Sequence, residues 1–227
     1  MAARTVLHWP DSRLKKSAEA IEDIDDSIVQ LARDLYDTMK VQFGAGLAAT
    51  QIGDSRSMVV ISAHYSNEST VPKDKLLEDV IVLVNPQIES LTDRRFKWEE
   101  ACLSVPNYSD IVERNADICL KYTDLSGRDH EIELSEPFSG IVQHEVDHLQ
   151  GILYLDRLPS SRRKKAHNTL LTRARKKREA AKKAAKKART EKEKPEIRNG
   201  FRPAGAKTSS KRKKRPKKSY GKNKKKR

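Results

Sequence analysis

His144-Glu145-Val146-Asp147-His148 sets two imidazoles four residues apart, with a carboxylate beside the first. On a helix such residues share one face, with Cβ atoms roughly 5–6 Å apart, so both rings can reach one ion. Glu145 then lies beside the ion without binding it, placed to take a proton from water held there. With 6 histidines in 227 residues, chance would produce about 0.01 such matches, so an accidental pair on a surface helix competes weakly. The motif leaves the reaction open, since zinc proteases use it too.

A catalytic metal site needs a third protein ligand and an open position. Downstream only His167 is available, and it lies in a basic stretch. Upstream, Cys102 stands in Glu99-Glu100-Ala101-Cys102-Leu103-Ser104, where the end of a strand could face the helix and supply a thiolate. The plainer reading of a single cysteine is a small buried hydrophobe, and Cys119, between Ile118 and Leu120, is read that way. Gly44-Ala45-Gly46-Leu47-Ala48-Ala49-Thr50-Gln51 is the third segment of interest. Its glycines permit close backbone approach to a ligand, and Gln51 offers an amide donor. It lacks the Gly-Lys-Ser/Thr ending of a phosphate loop, and a simple helix-to-strand connection would also account for the glycines.

The elements that must hold these residues read as α+β. A helix from Ser27, taken as its cap, to Val41 is followed by mostly antiparallel strands: 57–62, 80–84 (stopped by Asn85-Pro86), 96–101, 111–114, 118–122 and 130–134. Residues 125–128 form a hairpin turn. Pro137 opens the helix carrying the two histidines, and Gly151 stops it. His64 to Lys75 is polar and reads as a loop. Trp9 and Trp98 read as packing residues and Asp147 as structural; Arg114 could pair near Glu99 and Glu100 or simply be solvated.

The formal charge of +15 hides two different objects. Residues 162–227 hold 31 Lys or Arg and 4 Glu, giving +27, whereas residues 1–161 carry −12. The acidic body is long enough for one domain with a real core. The extension reads as helix to about residue 189, solvated beyond Leu171, then as disorder past Pro195. No apolar run approaches the about 18 residues of a membrane span, and no signal or transit peptide is visible. Two cysteines make no disulfide framework, so a reducing compartment is expected.

Together the three segments resemble the peptide deformylase family, whose motifs GxGLAxxQ, EGCLS and HExDH appear in that order. They stand here as GAGLAATQ (44–51), EACLS (100–104) and HEVDH (144–148). VLHWPDSRL (6–14), VNPQI (84–88) and IVERN (111–115) extend the resemblance over about residues 5–160. One departure is Ala101, where the family usually has Gly; its methyl could narrow the cleft or be harmless if the backbone there is extended.

The resemblance implies an enzyme that hydrolyses the N-formyl group from nascent peptides beginning with formyl-methionine; with no presequence visible before Val6, bacterial-type cytoplasm is the expected location. The resemblance also implies Cys102, His144 and His148 as ligands of one divalent ion, often Fe²⁺, with Zn²⁺ or Ni²⁺ also accommodated. Glu145 would move the proton, and Gln51 with the Leu103 backbone N–H would hold the oxyanion. Gly44, Ala45, Gly46, Glu100 and Ala101 would line the substrate. Family members are thought to dock on the ribosome through a C-terminal helix. By that analogy the basic extension, including Lys176, Lys177, Arg178, Lys213, Lys214 and Arg215, would contact ribosomal RNA without reading sequence, and no sequence-specific DNA binding is expected.

Residues 211–218 would also pass for a nuclear localisation signal. Two further readings compete: a zinc protease, which would need a third ligand after His148, and a basic RNA-binding protein on an inactive body.

Overall fold

Met58-Val59-Val60-Ile61 and Val80-Ile81-Val82-Leu83-Val84 are unbroken apolar runs, which a half-solvated strand would not tolerate. The computed structural model, which describes residues 3–66, 77 and 79–192 (188–192 by backbone alone), shows both faces of these strands covered. Met58, Val60, Val80, Val82 and Val84 pack with Ile28, Leu31, Leu35 and Met39 of α1 (Asp26–Val41). Val59, Ile61, Ile81 and Leu83 point the other way and pack with Val142, Val146 and Leu149 of α2 (Phe138–Leu149). Alternation along the strand thus feeds two cores from one sheet.

That sheet has the order β1-β2-β3-β6-β7, every pair antiparallel: β1 (Gly46–Ala48), β2 (Met58–Ser62), β3 (Val80–Ser90), β6 (Ile118–Thr123) and β7 (Asp129–Leu134). β4 (Arg95–Cys102) and β5 (Val105–Asn115) form a separate antiparallel pair. All twelve residues of α2 are buried, so the histidine-bearing helix runs through the middle of the body. The expected α+β arrangement of antiparallel strands around this helix holds. Gly127 (φ +78°) turns the β6–β7 hairpin, and Gly151 (φ +69°) follows α2 as its stop.

Three local expectations are corrected. α1 is capped by Asp25 rather than Ser27: the Asp25 carboxylate accepts from the backbone N–H of Ser27 and Ile28, at 2.9 and 3.1 Å. Ser27 Oγ instead donates to the same carboxylate, at 2.7 Å. Asn85-Pro86 does not stop β3. Asn85 takes φ +51°, exchanges hydrogen bonds with the Ile21 backbone, and the register against β6 shifts between Val84 and Gln87. The pair is therefore a bulge through which the strand continues to Ser90. β5 is also longer than residues 111–114, beginning at Val105.

A third cluster joins the β4–β5 pair to the chain's later helices. Cys102, Val105 and Val112 pack with Leu153, Tyr154 and Leu155 of α3 (Tyr154–Arg157) and the flanking turn. Ala166 and Leu170 of α4 (Ser160–Lys192) join the same cluster. One compact unit accordingly runs to Glu179, taking in the first part of α4. From Leu171 to Lys187 the helix is exposed, carrying Lys176, Lys177 and Arg178. Lys213, Lys214, Arg215, the stretch beyond Pro195 and most of the 64–75 segment lie outside the described residues. Among the described residues no helix is long and apolar enough to cross a membrane.

Candidate metal centre and substrate cleft

His144 and His148 lie one turn apart on α2, their rings 5.1 Å between centroids and inclined at 77°. His144 Nδ1 lies 2.7 Å from Glu100 Oε2, which leaves Nε2 to face the Cys102 thiol. His148 Nε2 lies 3.2 Å from Cys102 Sγ. The donor atoms of Cys102, His144 and His148 all fall within 4.8 Å of one another. Cys102 ends β4 where the register with β5 shifts, a bulge that turns its side chain toward α2. One sulfur and two imidazole nitrogens converging in a buried pocket fit a tetrahedral divalent ion that keeps one position open.

The two imidazoles differ electrostatically. Burial alone would depress His144, but hydrogen bonding to Cys102 and Glu100 raises it well above its ordinary value. For His148, burial and the neighbouring His144 and Arg114 act together and hold it neutral, the form that ligates metals. Burial pushes the Glu145 carboxyl up to about 7, and its Oε2 is buried without a hydrogen-bond partner. An unpaired buried carboxylate oxygen is costly, and Glu145 carries this one at the edge of the cleft described below.

Gly46 explains how Glu145 fits. A Cβ on Gly46 would lie 2.7–2.9 Å from Glu145 Cγ, Oε1 and Cδ, so a side chain there would force the buried carboxylate to shift. Gly46→Ala should therefore displace Glu145 and lower kcat/KM for any reaction that uses its carboxylate by about 100-fold, the scale of a misplacement near 1 Å. In a Glu145→Gln background the same change should add little, which a double-mutant cycle measures directly.

Gln51 sits in a short 3-10 turn (Ala49–Ile52) behind β1. Its Oε1 accepts from the Ala48 N–H (2.8 Å), which orients Nε2 toward Ser104 Oγ (3.1 Å) and Cys102 Sγ (3.6 Å). Ser104, fully buried, has a role that its residue type does not announce: its hydroxyl accepts from that amide. Leu103 borders the cleft, its Cδ1 3.0 Å from where a Gly44 Cβ would stand.

Glu100 corrects an expectation. Rather than lining substrate, it is 2% exposed and all its bonds point inward. Arg114 Nε and Trp98 Nε1 donate to Oε1 (2.8 and 2.9 Å); Arg114 Nη2 donates to Oε2 (3.0 Å), which also meets His144 Nδ1. Burial would raise this carboxyl, but His144 and Arg114 hold it down to about 2. Arg114, itself 3% exposed, also donates to Asp147 (2.5 Å), and Asp147 accepts a further bond from Arg157 (2.5 Å). An alternating line of charges, His144–Glu100–Arg114–Asp147–Arg157, thus fixes the His144 ring from behind, a carboxylate–histidine support of the kind metal sites use. Asp147 is structural, as its sequence position suggested.

In front of the three donors opens a cleft of about 720 Å³, lined by Gly44–Gly46, Gln51, Ala101–Leu103, His144 and Glu145 among others. Ala101 lies in the extended backbone of β4, where its methyl is accommodated without strain. β1 is the sheet's edge and pairs only with β2 among the described strands, so its outer side is open to an added strand. The model of a family described as polypeptide deformylase matches residues 3–164.

The chain belongs to the polypeptide deformylase family.

A peptide deformylase from Syntrophobacter fumaroxidans is 37% identical over 158 residues, spanning 70% of this chain and 88% of that protein. One from Polynucleobacter necessarius is 37% identical over 174 residues, 77% of this chain and 96% of that one. Among solved structures, the Legionella pneumophila deformylase superposes with TM-score 0.67 at 36% identity, covering 78% of this chain and 98% of its own. The Ehrlichia chaffeensis enzyme in complex with actinonin gives 0.66 at 30% identity, over 76% and 98%. Deformylases are metalloenzymes that remove the N-formyl group from nascent polypeptides, and this chain is a deformylase of that kind. The family match ends at residue 164, just inside α4.

Proposed function

We propose that Cys102, His144 and His148 hold one divalent ion, Fe²⁺ in the native protein, and that Glu145 moves the proton in hydrolysis of formyl-methionyl peptides. Zn²⁺ or Ni²⁺ would also satisfy a thiolate and two imidazoles. The observation that carries this reading is the meeting of three donor atoms within 4.8 Å beside a buried carboxylate whose acidity burial has weakened. The ion, when bound, supplies the positive charge that makes a water acidic near neutral pH and polarises the formyl oxygen.

Glu145 accepts a proton from the attacking water as oxygen bonds to the formyl carbon. Gln51 Nε2 and the Leu103 backbone N–H donate to the oxygen on which negative charge develops. The C–N bond then breaks, Glu145 returns the proton to the leaving amine, and formate departs. Gly44, Ala45 and Gly46 bind the peptide backbone along the open edge of β1, with Ala101 across the cleft. Glu100 keeps His144 in the tautomer whose Nε2 faces the centre. Cys102→Ala should lose the bound ion, measured as metal per chain by elemental analysis; a metal content equal to the parent's would remove Cys102 from the ligand set.

The basic extension from residue 162 is assigned to ribosomal RNA, beside which formylated chains emerge in the cytoplasm. Its support is electrostatic: +27 over 66 residues, with Lys176, Lys177 and Arg178 exposed on α4, and little aromatic surface for base stacking. Co-sedimentation of the full chain and a 1–172 version, which keeps Ala166 and Leu170 but lacks Lys176, Lys177, Arg178 and all that follows, with ribosomes at low and raised salt tests it. The full chain should bind more tightly and lose that advantage as salt rises; equal binding of the two defeats the assignment.

A further inference from the structure

α1 ends in a turn whose geometry asks for glycine. The Gly44 N–H donates to Met39 O (3.0 Å) and the Phe43 N–H to Lys40 O (3.2 Å), the bond pair of a Schellman motif. That motif puts the residue after the cap in the left-handed region, and Phe43 stands there at φ +54°. A bulky aromatic is disfavoured in that conformation, where Gly or Asn is the ordinary choice. Packing gives nothing in return, because Phe43 is 94% exposed. The turn explains the backbone angle but not the residue type.

Location supplies what packing does not. Phe43 borders the same cleft that holds Cys102, Gln51 and Glu145, and Tyr65, 49% exposed, lines that cleft too. Single exposed apolar side chains need no explanation, but two large aromatic rings at one cleft do. Phe43 precedes Gly44–Gly46 directly, so the substrate-binding edge of β1 continues into it. Gly46 stands beside Glu145, since a Cβ built on it would meet that side chain, and Glu145 marks where the formyl carbon sits in the reading above. An extended peptide advances about 3.3 Å per residue, so a chain running along β1 from that point reaches Phe43 within two or three residues.

We propose that Phe43, with Tyr65, forms an aromatic rim that binds the side chains immediately following formyl-methionine, so that this deformylase prefers nascent chains with large apolar second or third residues. The occupant is the substrate itself, because the rim is continuous with the reaction cleft. The inference rests on the active-site reading above. Phe43 here determines specificity and takes no part in the chemistry.

The test is kcat/KM for two series, formyl-Met-Xaa-Ala and formyl-Met-Ala-Xaa, with Xaa as Leu, Phe, Ser or Asp. The full-length parent should favour Leu or Phe over Ser by about 10-fold in at least one series, the discrimination an apolar surface supplies. Phe43→Gly should flatten that ratio to within about 2-fold, chiefly through KM, while raising the melting temperature by a few degrees as the turn relaxes. Phe43→Asn, which also suits the left-handed angle, should flatten it likewise, and Phe43→Tyr should restore it. A parent with no preference in either series, or a Phe43→Gly protein with the parent's ratio, overturns the rim. If formyl-Met-Ala were itself uncleaved by the parent, the active-site reading would fall first and the rim with it.

Discussion

Glu145→Gln is expected to lower kcat/KM for formate release by about 1,000-fold or more while metal content stays at the parent level. The substitution keeps the shape of the side chain and removes its basicity, so what is lost is proton transfer, a contribution of about 10²–10⁴. The position supports so large an effect. Glu145 is buried where Gly46 lacks a side chain, and its Oε2 has no competing hydrogen bond. Elemental analysis alongside steady-state kinetics separates this outcome from loss of the ion. A metal-replete Glu145→Gln protein within about threefold of the parent would leave the base unassigned.

Arg114→Met should produce the largest loss of stability of any single change behind the metal centre. The guanidinium is 3% exposed and is shared between Glu100 and Asp147, so its removal takes the buried cation from two buried carboxylates, leaving Glu100 to Trp98 and His144 and Asp147 to Arg157. Breaking a buried ion pair from one side costs about 3–5 kcal/mol. For a body of this size each kcal/mol moves the midpoint by about 2–4 °C, so a fall of roughly 10–15 °C is expected in thermal denaturation. Arg114→Lys should recover little of it, because one ammonium cannot reproduce the fork that bridges both carboxylates. A drop below about 2 °C for Arg114→Met would mean that this network does not hold the body together. His144 should also loosen, since Glu100 would lose the partner that fixes its orientation, and metal affinity should fall with stability.

What the sequence made legible follows from how each residue is constrained. The two histidines and Glu145 are readable because helical spacing and the chemistry of an ion demand those types at those positions. The family resemblance, read motif by motif, puts Glu100 beside the substrate. Period-two alternation along β4 instead sends Glu100 and Ala101 to opposite sides, one buried against Arg114 and the other exposed at the cleft. That signal was present in the strand assignment and would have assigned Glu100 to the interior.

β5 shows the opposite case. Ile111 is 46% exposed whereas Val112 and Arg114 are 1% and 3% exposed, so one apolar residue lies on each face and hydropathy alone does not choose between them. Only the partners Glu100 and Asp147, contributed by β4 and α2, make a buried arginine there affordable. Asn85-Pro86 misled for a similar reason: composition marks a stop, but the hydrogen bonds from Asn85 to Ile21, distant in sequence, convert it to a bulge. Ser104 and the Schellman turn at Phe43 likewise depend on distant partners or on exposure, which residue types alone do not reveal.

The most direct test is formate release from formyl-Met-Ala-Ser by the purified full-length chain, before and after treatment with a metal chelator, and again after adding back Fe²⁺ or Zn²⁺. Turnover that disappears with chelation and returns with the ion is the expected result. Undiminished turnover after the ion has been removed would contradict a centre built on Cys102, His144 and His148.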